Sequence, residues 1–161
     1  MTQTAAANCA TDLSIRNRKS AFKTHSPEET QEIGAKIGGQ LNPGDVVALI
    51  GDLGVGKTCL TQGIARGAGV CQDETVNSPS YILINEYEGK IPIYHIDLYR
   101  LERLEDIIAL GLEDYLEGDG ICVIEWADRM GELLPESHIQ VKITGEDEFT
   151  RAIEVLPVSA K

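Results

Sequence analysis

Residues 46–58 read VVALIGDLGVGKT, an apolar run that passes into a glycine-rich segment ending in a lysine and a threonine. The continuous apolar run Val46–Ile50 predicts a strand that is buried on both faces of a sheet. The segment 51–58 matches G-x-x-x-x-G-K-[ST] at every fixed position, and a helix is predicted from Lys57 to about Ala68. Strand, glycine-rich loop and helix in this order predict a phosphate-binding loop in an α/β protein.

The chemistry of phosphate binding requires the residue types of this loop. Glycines let backbone N–H groups approach a phosphate, because they carry no side chain to crowd the loop. Lys57 can reach the β- and γ-phosphates and assist catalysis, and the Thr58 hydroxyl can ligate Mg²⁺. We predict that the nucleotide-binding residues are Gly51, Asp52, Leu53, Gly54, Val55, Gly56, Lys57 and Thr58.

A second metal ligand is expected at the end of another buried strand. Ile121–Glu125 reads ICVIE, four apolar residues followed by an acid, as in a Walker B strand. Glu125 is therefore predicted to hold Mg²⁺ together with Thr58. Trp126 is the only tryptophan, and both a packing role and a role in the site remain open.

A polar cluster, HIDLYR at 95–100, follows a further apolar stretch. Strand alternation places His95, Asp97 and Tyr99 on one face if the strand continues that far. Because open α/β sheets bind ligands at the ends of their strands, Asp97 is the candidate for orienting the attacking water or a metal-bound water. Arg100 could support the site or contact a partner, and the sequence favours neither.

Two further segments are candidates for contact with the nucleotide. Residues 78–81, SPSY, form a turn-like stretch after the loop helix, where a γ-phosphate-sensing switch is expected, although Ser-Pro is also an ordinary turn. Arg151, near the C-terminus, is a candidate contact for the base or the phosphates.

The rest of the chain predicts a single three-layer α/β domain over 21–161, preceded by a loose tail at 1–20. Ser26 and the following Pro27 have the features of a helix start, and Ile33, Ile37 and Leu41 give that helix an apolar stripe. A further helical stretch is predicted at 102–116. A short edge strand is expected near 20–24. Further strands are expected near 81–87, 91–97, 139–143 and 152–156, the last two at a sheet edge.

The composition excludes several classes of protein. The 14 basic residues face 26 acidic ones, for a net charge of −12, which disfavours a free-standing DNA or RNA binder. No apolar run is long enough to span a membrane, and no export signal is seen, so we expect a cytoplasmic protein with no membrane partner. The four cysteines form no metal-binding pattern and are expected to be reduced thiols.

The motifs together resemble the TsaE (YjeE) family, bacterial ATPases of tRNA threonylcarbamoyladenosine synthesis. The resemblance covers about residues 26–156 and rests on GDLGVGKT (51–58), SPSY (78–81), HIDLYR (95–100), GLEDY (111–115) and IEW (124–126). Two positions depart from the usual family pattern: Ser80 replaces a threonine, and Cys59 replaces a threonine or serine. Neither is expected to impair the site, because Ser80 keeps the hydroxyl and Cys59 faces away from the metal.

The resemblance implies a P-loop NTPase fold with a mixed central sheet, and Mg²⁺-dependent ATP hydrolysis. It also implies work with the TsaD and TsaB proteins, through which tRNA would be reached indirectly. No built-in arginine finger is evident, so hydrolysis by the chain alone is expected to be slow.

A small-molecule kinase remains the alternative enzyme class, although residues 101–120 offer only Arg103 as a basic residue for a lid. A GTPase is disfavoured, because the guanine-reading block N-K-x-D is missing. A module that binds its nucleotide only structurally is the third alternative.

Overall fold

The apolar run at 46–50 becomes the central strand of a mixed sheet in the computed structural model, which describes residues 15–52, 54–71, 76 and 84–159. Seven strands lie in this described part: β1 (Ser20–Thr24), β2 (Val46–Ile50), β3 (Ile84–Tyr87), β4 (Ile93–Asp97), β5 (Ile121–Glu125), β6 (His138–Gly145) and β7 (Arg151–Val158). Their order across the sheet is β1-β7-β6-β2-β5-β4-β3. Strands β6, β2, β5 and β4 run parallel, and antiparallel strands lie on either side of them.

Helices cover both faces of the sheet. They are α1 (Pro27–Gly38), α2 (Lys57–Gly67), α3 (Leu104–Ala109), α4 (Glu113–Leu116) and a 3₁₀ segment at Ala127–Leu133 that kinks at Gly131. Alternate residues of β2 enter different cores: Val47 and Leu49 pack with residues of α1 and α2. Val46 and Ala48 pack with residues of α3 and the 3₁₀ segment. The predicted three-layer α/β architecture and mixed sheet are confirmed.

The predicted start of α1 is also observed. The Ser26 hydroxyl accepts a hydrogen bond from the backbone N–H of Glu29, and Pro27 occupies the first helical turn. Such a cap satisfies one of the N–H groups that a helix leaves without an intrahelical partner. Ile37 of the predicted stripe is buried, and Ile33 is partly buried against the same core. Leu41 is also buried, but it lies after the helix, which ends at Gly38.

Two predictions about the outer elements are wrong. The helical stretch expected over 102–116 is split into α3 and α4, because Gly111 adopts φ = 66°, a conformation that no continuing helix contains. The last two strands do not form a sheet edge. Strand β1 pairs antiparallel with β7, with Ser20 opposite Val155, so the edge strand is β1, and the edge strand predicted at 20–24 is confirmed.

The predicted N-terminal tail lies mainly outside the described residues, but its last part contacts the domain. Ile15 is buried in the core, and its backbone N–H donates to Gln40 Oε1 at 3.1 Å. The next residue, Arg16, forms an ion pair with Asp45 at 2.7 Å. The described residues before β1 are therefore held against the domain by both apolar and polar contacts.

The described cysteines, Cys59, Cys71 and Cys122, are free thiols. Burial raises the pKa of the Cys122 thiol from 9.0 to about 12, so this thiol stays protonated at neutral pH. Within the described ranges, none of the helices is long and apolar enough to cross a membrane.

Helix α2, which begins at the phosphate loop, lies unusually close to α1. A Cβ atom added at Gly63 would come within 2.2 Å of the Gln31 carbonyl oxygen, and one at Gly34 within 2.4 Å of the Leu60 oxygen. Gly38 and Gly67 make equally close backbone approaches. Because backbone atoms cannot yield as a flexible side chain can, these glycines set the position of α2 and of the loop before it.

This contact gives a stability prediction. Gly63→Ala should lower the free energy of unfolding by ~1–3 kcal/mol, because overpacking here must move one helix away from the other. Gly39→Ala is the matched control, since its added Cβ would lie 3.4 Å from the nearest atom. That control should be neutral or slightly stabilising. Urea unfolding of both variants checks this, and equal midpoints would contradict the proposed role of the close contact.

Candidate functional site

Three parallel strands end together at one edge of the sheet and place the predicted site residues there. The glycine-rich loop follows β2, Asp97 ends β4 and Glu125 ends β5. Glu125 is aligned with Leu49 of β2 on one side and with Asp97 on the other. The carboxyl ends of parallel strands are the usual ligand-binding edge of an α/β sheet. The sequence-predicted residues of three separate segments are thus brought together.

The loop turns into α2 through backbone conformations that favour glycine. Gly54 has φ = 77° and Gly56 has φ = 114°, which side chains rarely tolerate. Gly56 is the N-cap of α2, and no side chain caps that helix or places an acid in its first turn. This start contrasts with α1, where the Ser26 hydroxyl caps the N–H of Glu29 and the first turn carries the acids Glu28 and Glu29. The start of α2 therefore presents N–H groups and the positive end of the helix dipole to an anion.

Lys57 lies buried at the centre of the site. Its ammonium donates to the Gly51 carbonyl oxygen at 2.6 Å and to the Asp52 oxygen at 2.7 Å, and it lies 4.3 Å from the ring centre of Trp126. Burial lowers the pKa of the ammonium, while nearby carboxylates, first Glu125 and then Asp97, partly offset the shift. The cation is poorly solvated, so an incoming anion would find it strongly attractive.

Glu125 is buried and contacts both of the neighbouring segments. The Thr58 hydroxyl donates to the two carboxylate oxygens at 3.4 Å, and Nε2 of His95 lies 2.5 Å from Oε2. A hydroxyl beside a carboxylate is the hard oxygen donor set that suits Mg²⁺. The described residues contain no cluster of three or more His, Cys, Asp or Glu side chains that could hold a metal. Mg²⁺ is commonly bound through one or two carboxylates together with substrate phosphates, and these residues fit that mode.

Asp97 is buried beside Glu125 and holds the turn that follows β4. Its Oδ1 accepts a hydrogen bond from the backbone N–H of Tyr99 at 2.9 Å. The strand ends at Asp97, so the predicted continuation that would place Tyr99 on the same face is not observed. Tyr99 and Arg100 are exposed instead. Of the predicted polar face, His95 and Asp97 therefore lie in the site, whereas the exposed Tyr99 packs its ring against that of Trp126.

An aromatic and cationic cluster closes one side of the site. Trp126 is the one non-glycine residue in the described ranges with positive φ, at 61°. Its ring contacts the Lys57 ammonium and lies 4.8 Å from the Arg129 guanidinium. Arg129 donates to the carbonyl oxygens of Leu98, Tyr99 and Leu101, so it fixes the turn after Asp97. Of the two readings that the sequence left open, this contact with Lys57 favours a place for Trp126 in the site.

A cavity of about 410 Å³ opens on the other side of the loop. It is lined by Ser26, Pro27, Thr30, Gly54, Val55, Gly56, Cys59, Glu148, Phe149 and Arg151. Arg151 Nε donates to the Val55 carbonyl oxygen at 2.7 Å, and its Nη1 donates to the Asp147 oxygen at 2.8 Å. Arg151 thus braces the loop against the turn before β7, in addition to lining the cavity.

The sequence missed three contacts of this site. These are the His95–Glu125 pair, the contact of Lys57 with Trp126, and the hydrogen bonds of Arg129 to the turn after Asp97. The first could have been found, because His95 lies two residues before Asp97 on a predicted strand. Leu53 and the predicted switch segment 78–81 lie outside the described residues, so those predictions stay untested.

The sheet, the glycine-rich loop and the helix that starts in it define an α/β protein with a P-loop fold. A family model described as threonylcarbamoyl adenosine biosynthesis protein TsaE matches residues 24–153. The chain belongs to the TsaE family.

Individual relatives agree with this assignment. Two proteins named tRNA threonylcarbamoyladenosine biosynthesis protein TsaE are similar over most of their length. The one from Bacillus subtilis (strain 168) is 43% identical over 130 residues, covering 79% of this chain and 80% of that protein. The one from Nostoc sp. (strain PCC 7120) is 45% identical over 135 residues, covering 81% of each. The crystal structure of Bacillus subtilis YdiB has a TM-score of 0.76 and 36% identity, covering 88% of this chain and 87% of that one.

Proposed function

We propose that this chain is a Mg²⁺-dependent ATPase that supports the synthesis of threonylcarbamoyladenosine in tRNA, together with TsaD and TsaB. One observation carries the proposal: Lys57 and Thr58 of the loop converge with Glu125 and Asp97 at the carboxyl ends of three parallel strands. The names of the relatives give the pathway.

The chain's residues divide the work according to their positions. The Lys57 ammonium exchanges the carbonyl oxygens of Gly51 and Asp52 for the β- and γ-phosphates, which are the stronger acceptors. Thr58 and Glu125 would hold Mg²⁺, which when bound would supply positive charge close to the phosphates. Asp97, beside Glu125, orients the attacking water. The attacking water must be placed accurately. The hydrogen bonds of Arg129 and Asp97 to the short turn after β4 therefore contribute to catalysis by fixing the position of Asp97.

The cavity beside the loop is suited to the base of the nucleotide. Its size lies within the ~300–1,000 Å³ that is usual for small-molecule sites. The cavity reaches from the loop glycines to Phe149, whose ring is 65% exposed and free to stack on a base. Arg151 contributes a guanidinium at the same wall. The residues that line the cavity form no guanine-reading pattern, and the sequence lacks the N-K-x-D block.

Partner proteins are proposed to complete the activity. Among the described residues near the site, Arg129 and Arg151 are both bound to backbone carbonyl oxygens, so neither is poised as an arginine finger. The net charge of −12 also gives the chain little ability to bind tRNA directly. TsaD and TsaB are therefore proposed to supply both the contact with tRNA and the stimulation of hydrolysis.

The experiment that tests the proposal measures phosphate release from Mg-ATP by the chain alone, with TsaD, and with TsaD and TsaB together. We expect slow release alone and at least a ~10-fold increase with both partners, as for transition-state charges supplied in trans. Direct binding of radiolabelled tRNA by the isolated chain should be weak. Tight, salt-sensitive tRNA binding, or release that no partner changes, would contradict the proposed division of labour.

The same assay separates the kinase alternative. A kinase would transfer the γ-phosphate to a small acceptor and release little inorganic phosphate. Residues 101–120 form the short helices α3 and α4, and Arg103 is exposed there beside Glu105. This segment offers no buried basic group to line an acceptor pocket, so hydrolysis is the better-supported reaction.

A further inference from the structure

A fully buried histidine contacts the proposed metal ligand. The His95 side chain has no solvent exposure, that of Glu125 has 4%, and Nε2 lies 2.5 Å from Oε2. His95 is aligned with Val123 and Asp97 with Glu125, so His95 lies one strand repeat below Asp97 on the same face of β4. The Glu125 side chain reaches back along this face to meet it.

The chemistry of the pair fixes the direction of the hydrogen bond. A carboxylate only accepts, so His95 Nε2 carries the proton and donates it to Glu125. The other ring nitrogen, Nδ1, is buried and has no partner among the residues that the structure describes. Burying an imidazole in this way costs free energy that an apolar side chain of similar size would not. Among the described residues, the hydrogen bond to Glu125 is therefore the polar contact that offsets this cost.

We propose that His95 is a positioning residue that holds the Glu125 carboxylate for Mg²⁺, an inference that rests on the proposed function. The Thr58 hydroxyl lies 3.4 Å from both carboxylate oxygens, but His95 contacts Oε2 alone, so Oε1 is the oxygen that we propose ligates the metal. Hydrogen-bond partners of ligating carboxylates orient them in this manner, and their loss typically costs ~10–100-fold in metal affinity.

The charge of Lys57 makes such a restraint necessary. Glu125 is the carboxylate that acts most strongly on the buried Lys57 ammonium. Without a second partner, the carboxylate could turn and close an ion pair with that ammonium, which would withdraw both groups from the nucleotide. His95 lies on β4, which is on the other side of β5 from β2 and the loop. By holding Glu125 from that side, it leaves the Lys57 ammonium available to the phosphates.

Three substitutions test the proposal through the Mg²⁺ dependence of ATP binding, measured by calorimetry rather than by turnover. His95→Gln keeps an N–H donor at the reach of Nε2, and should bind Mg-ATP with a Mg²⁺ dependence within ~3-fold of the unmodified chain. His95→Asn is polar but too short, and His95→Leu is apolar. Both should need ~10–100-fold more Mg²⁺ while binding ATP without metal as before. The proposal would be overturned if His95→Asn and His95→Leu kept the Mg²⁺ dependence of the unmodified chain, or if all three variants lost Mg²⁺ affinity equally.

A measurement on the unmodified chain covers the case in which these variants fail to fold. Nitrogen NMR of ¹⁵N-histidine-labelled protein should show a protonated Nε2 on His95, with the other two histidines assigned through His25→Asn and His138→Asn. An unprotonated Nε2 would overturn the proposal. Failure of the proposed function gives a different result: the unmodified chain would then bind no ATP, or would bind it without releasing phosphate, whatever the state of His95.

Discussion

Lys57→Ala should reduce the affinity for Mg-ATP by about 100-fold or more, the largest effect that a single substitution is expected to have on binding. Lys57 is 4% exposed, and its ammonium carries the positive charge of the loop. Removing one partner of a buried charged contact costs ~2–5 kcal/mol, which sets this magnitude. The low solvation that lowers its pKa also means that the phosphates gain a cation that water does not already satisfy. Calorimetric titration with Mg-ATP measures the loss.

The fold should survive this substitution, because the buried cation itself carries a cost of desolvation. The stabilisation that is lost is the contact with Trp126, worth ~0.5–2 kcal/mol, and the hydrogen bonds to the carbonyl oxygens of Gly51 and Asp52. Lys142→Ala is the matched control, since Lys142 is exposed on β6 opposite Ile50, next to the same strand. Both variants should unfold near the temperature of the unmodified chain. Unchanged ATP affinity in folded Lys57→Ala would remove the P-loop assignment.

Local patterns predicted the parts of the fold that depend on local chemistry. The run at 46–50, the glycine-rich loop and the run ending in Glu125 each carry their own period or fixed residue types, and each is observed at the expected place. The start of α1 was equally clear, because a cap residue and a proline have defined positions in a first turn. These signals need no knowledge of the rest of the chain.

The errors fall where pairing between distant segments decides the structure. Nothing in the sequence of β7 says that β1, about 130 residues earlier, will cover it. The break between α3 and α4 depends on one glycine, Gly111, which a helix can also tolerate when its φ is ordinary. The prediction that Tyr99 shares a face with His95 and Asp97 required β4 to continue to Tyr99. The strand instead ends at Asp97, whose carboxylate accepts a hydrogen bond from the Tyr99 backbone N–H.

The site shows the same division. The sequence selected Asp97 and Glu125 because each follows an apolar run, and the structure aligns the two at the ends of β4 and β5. Their roles stay predictions. It could not predict that His95 contacts Glu125 or that Trp126 contacts Lys57, because those contacts depend on β4 and β5 being neighbours and on the backbone of Trp126 at φ = 61°. Contacts between side chains of adjacent strands require the strand order, which single-sequence patterns do not contain.

The two buried carboxylates, Asp97 and Glu125, are expected to respond differently to loss of charge. Asp97→Asn should keep Mg-ATP affinity within ~3-fold but lower the hydrolysis rate by ~10²–10⁴-fold, the range for a positioned general base. Glu125→Gln should instead weaken the Mg²⁺ dependence of binding, because the Glu125 carboxylate contacts the Thr58 hydroxyl. Both variants keep the shape of the original side chain, so a change in packing should contribute little to either effect.

Hydrolysis is best followed in the presence of TsaD and TsaB, where the rate should be high enough for a 10²-fold loss to be measured. Asp128→Asn is the matched control, because Asp128 is an exposed acid that also acts on the Lys57 ammonium but contacts neither Glu125 nor Thr58 in the hydrogen bonds described. It should hydrolyse ATP at the unmodified rate. If Asp97→Asn hydrolyses normally, the water-placing role of Asp97 is wrong. If Asp97→Asn loses the Mg²⁺ dependence and Glu125→Gln keeps it, the two carboxylates exchange roles, and the metal lies nearer to β4 than to the Thr58 hydroxyl.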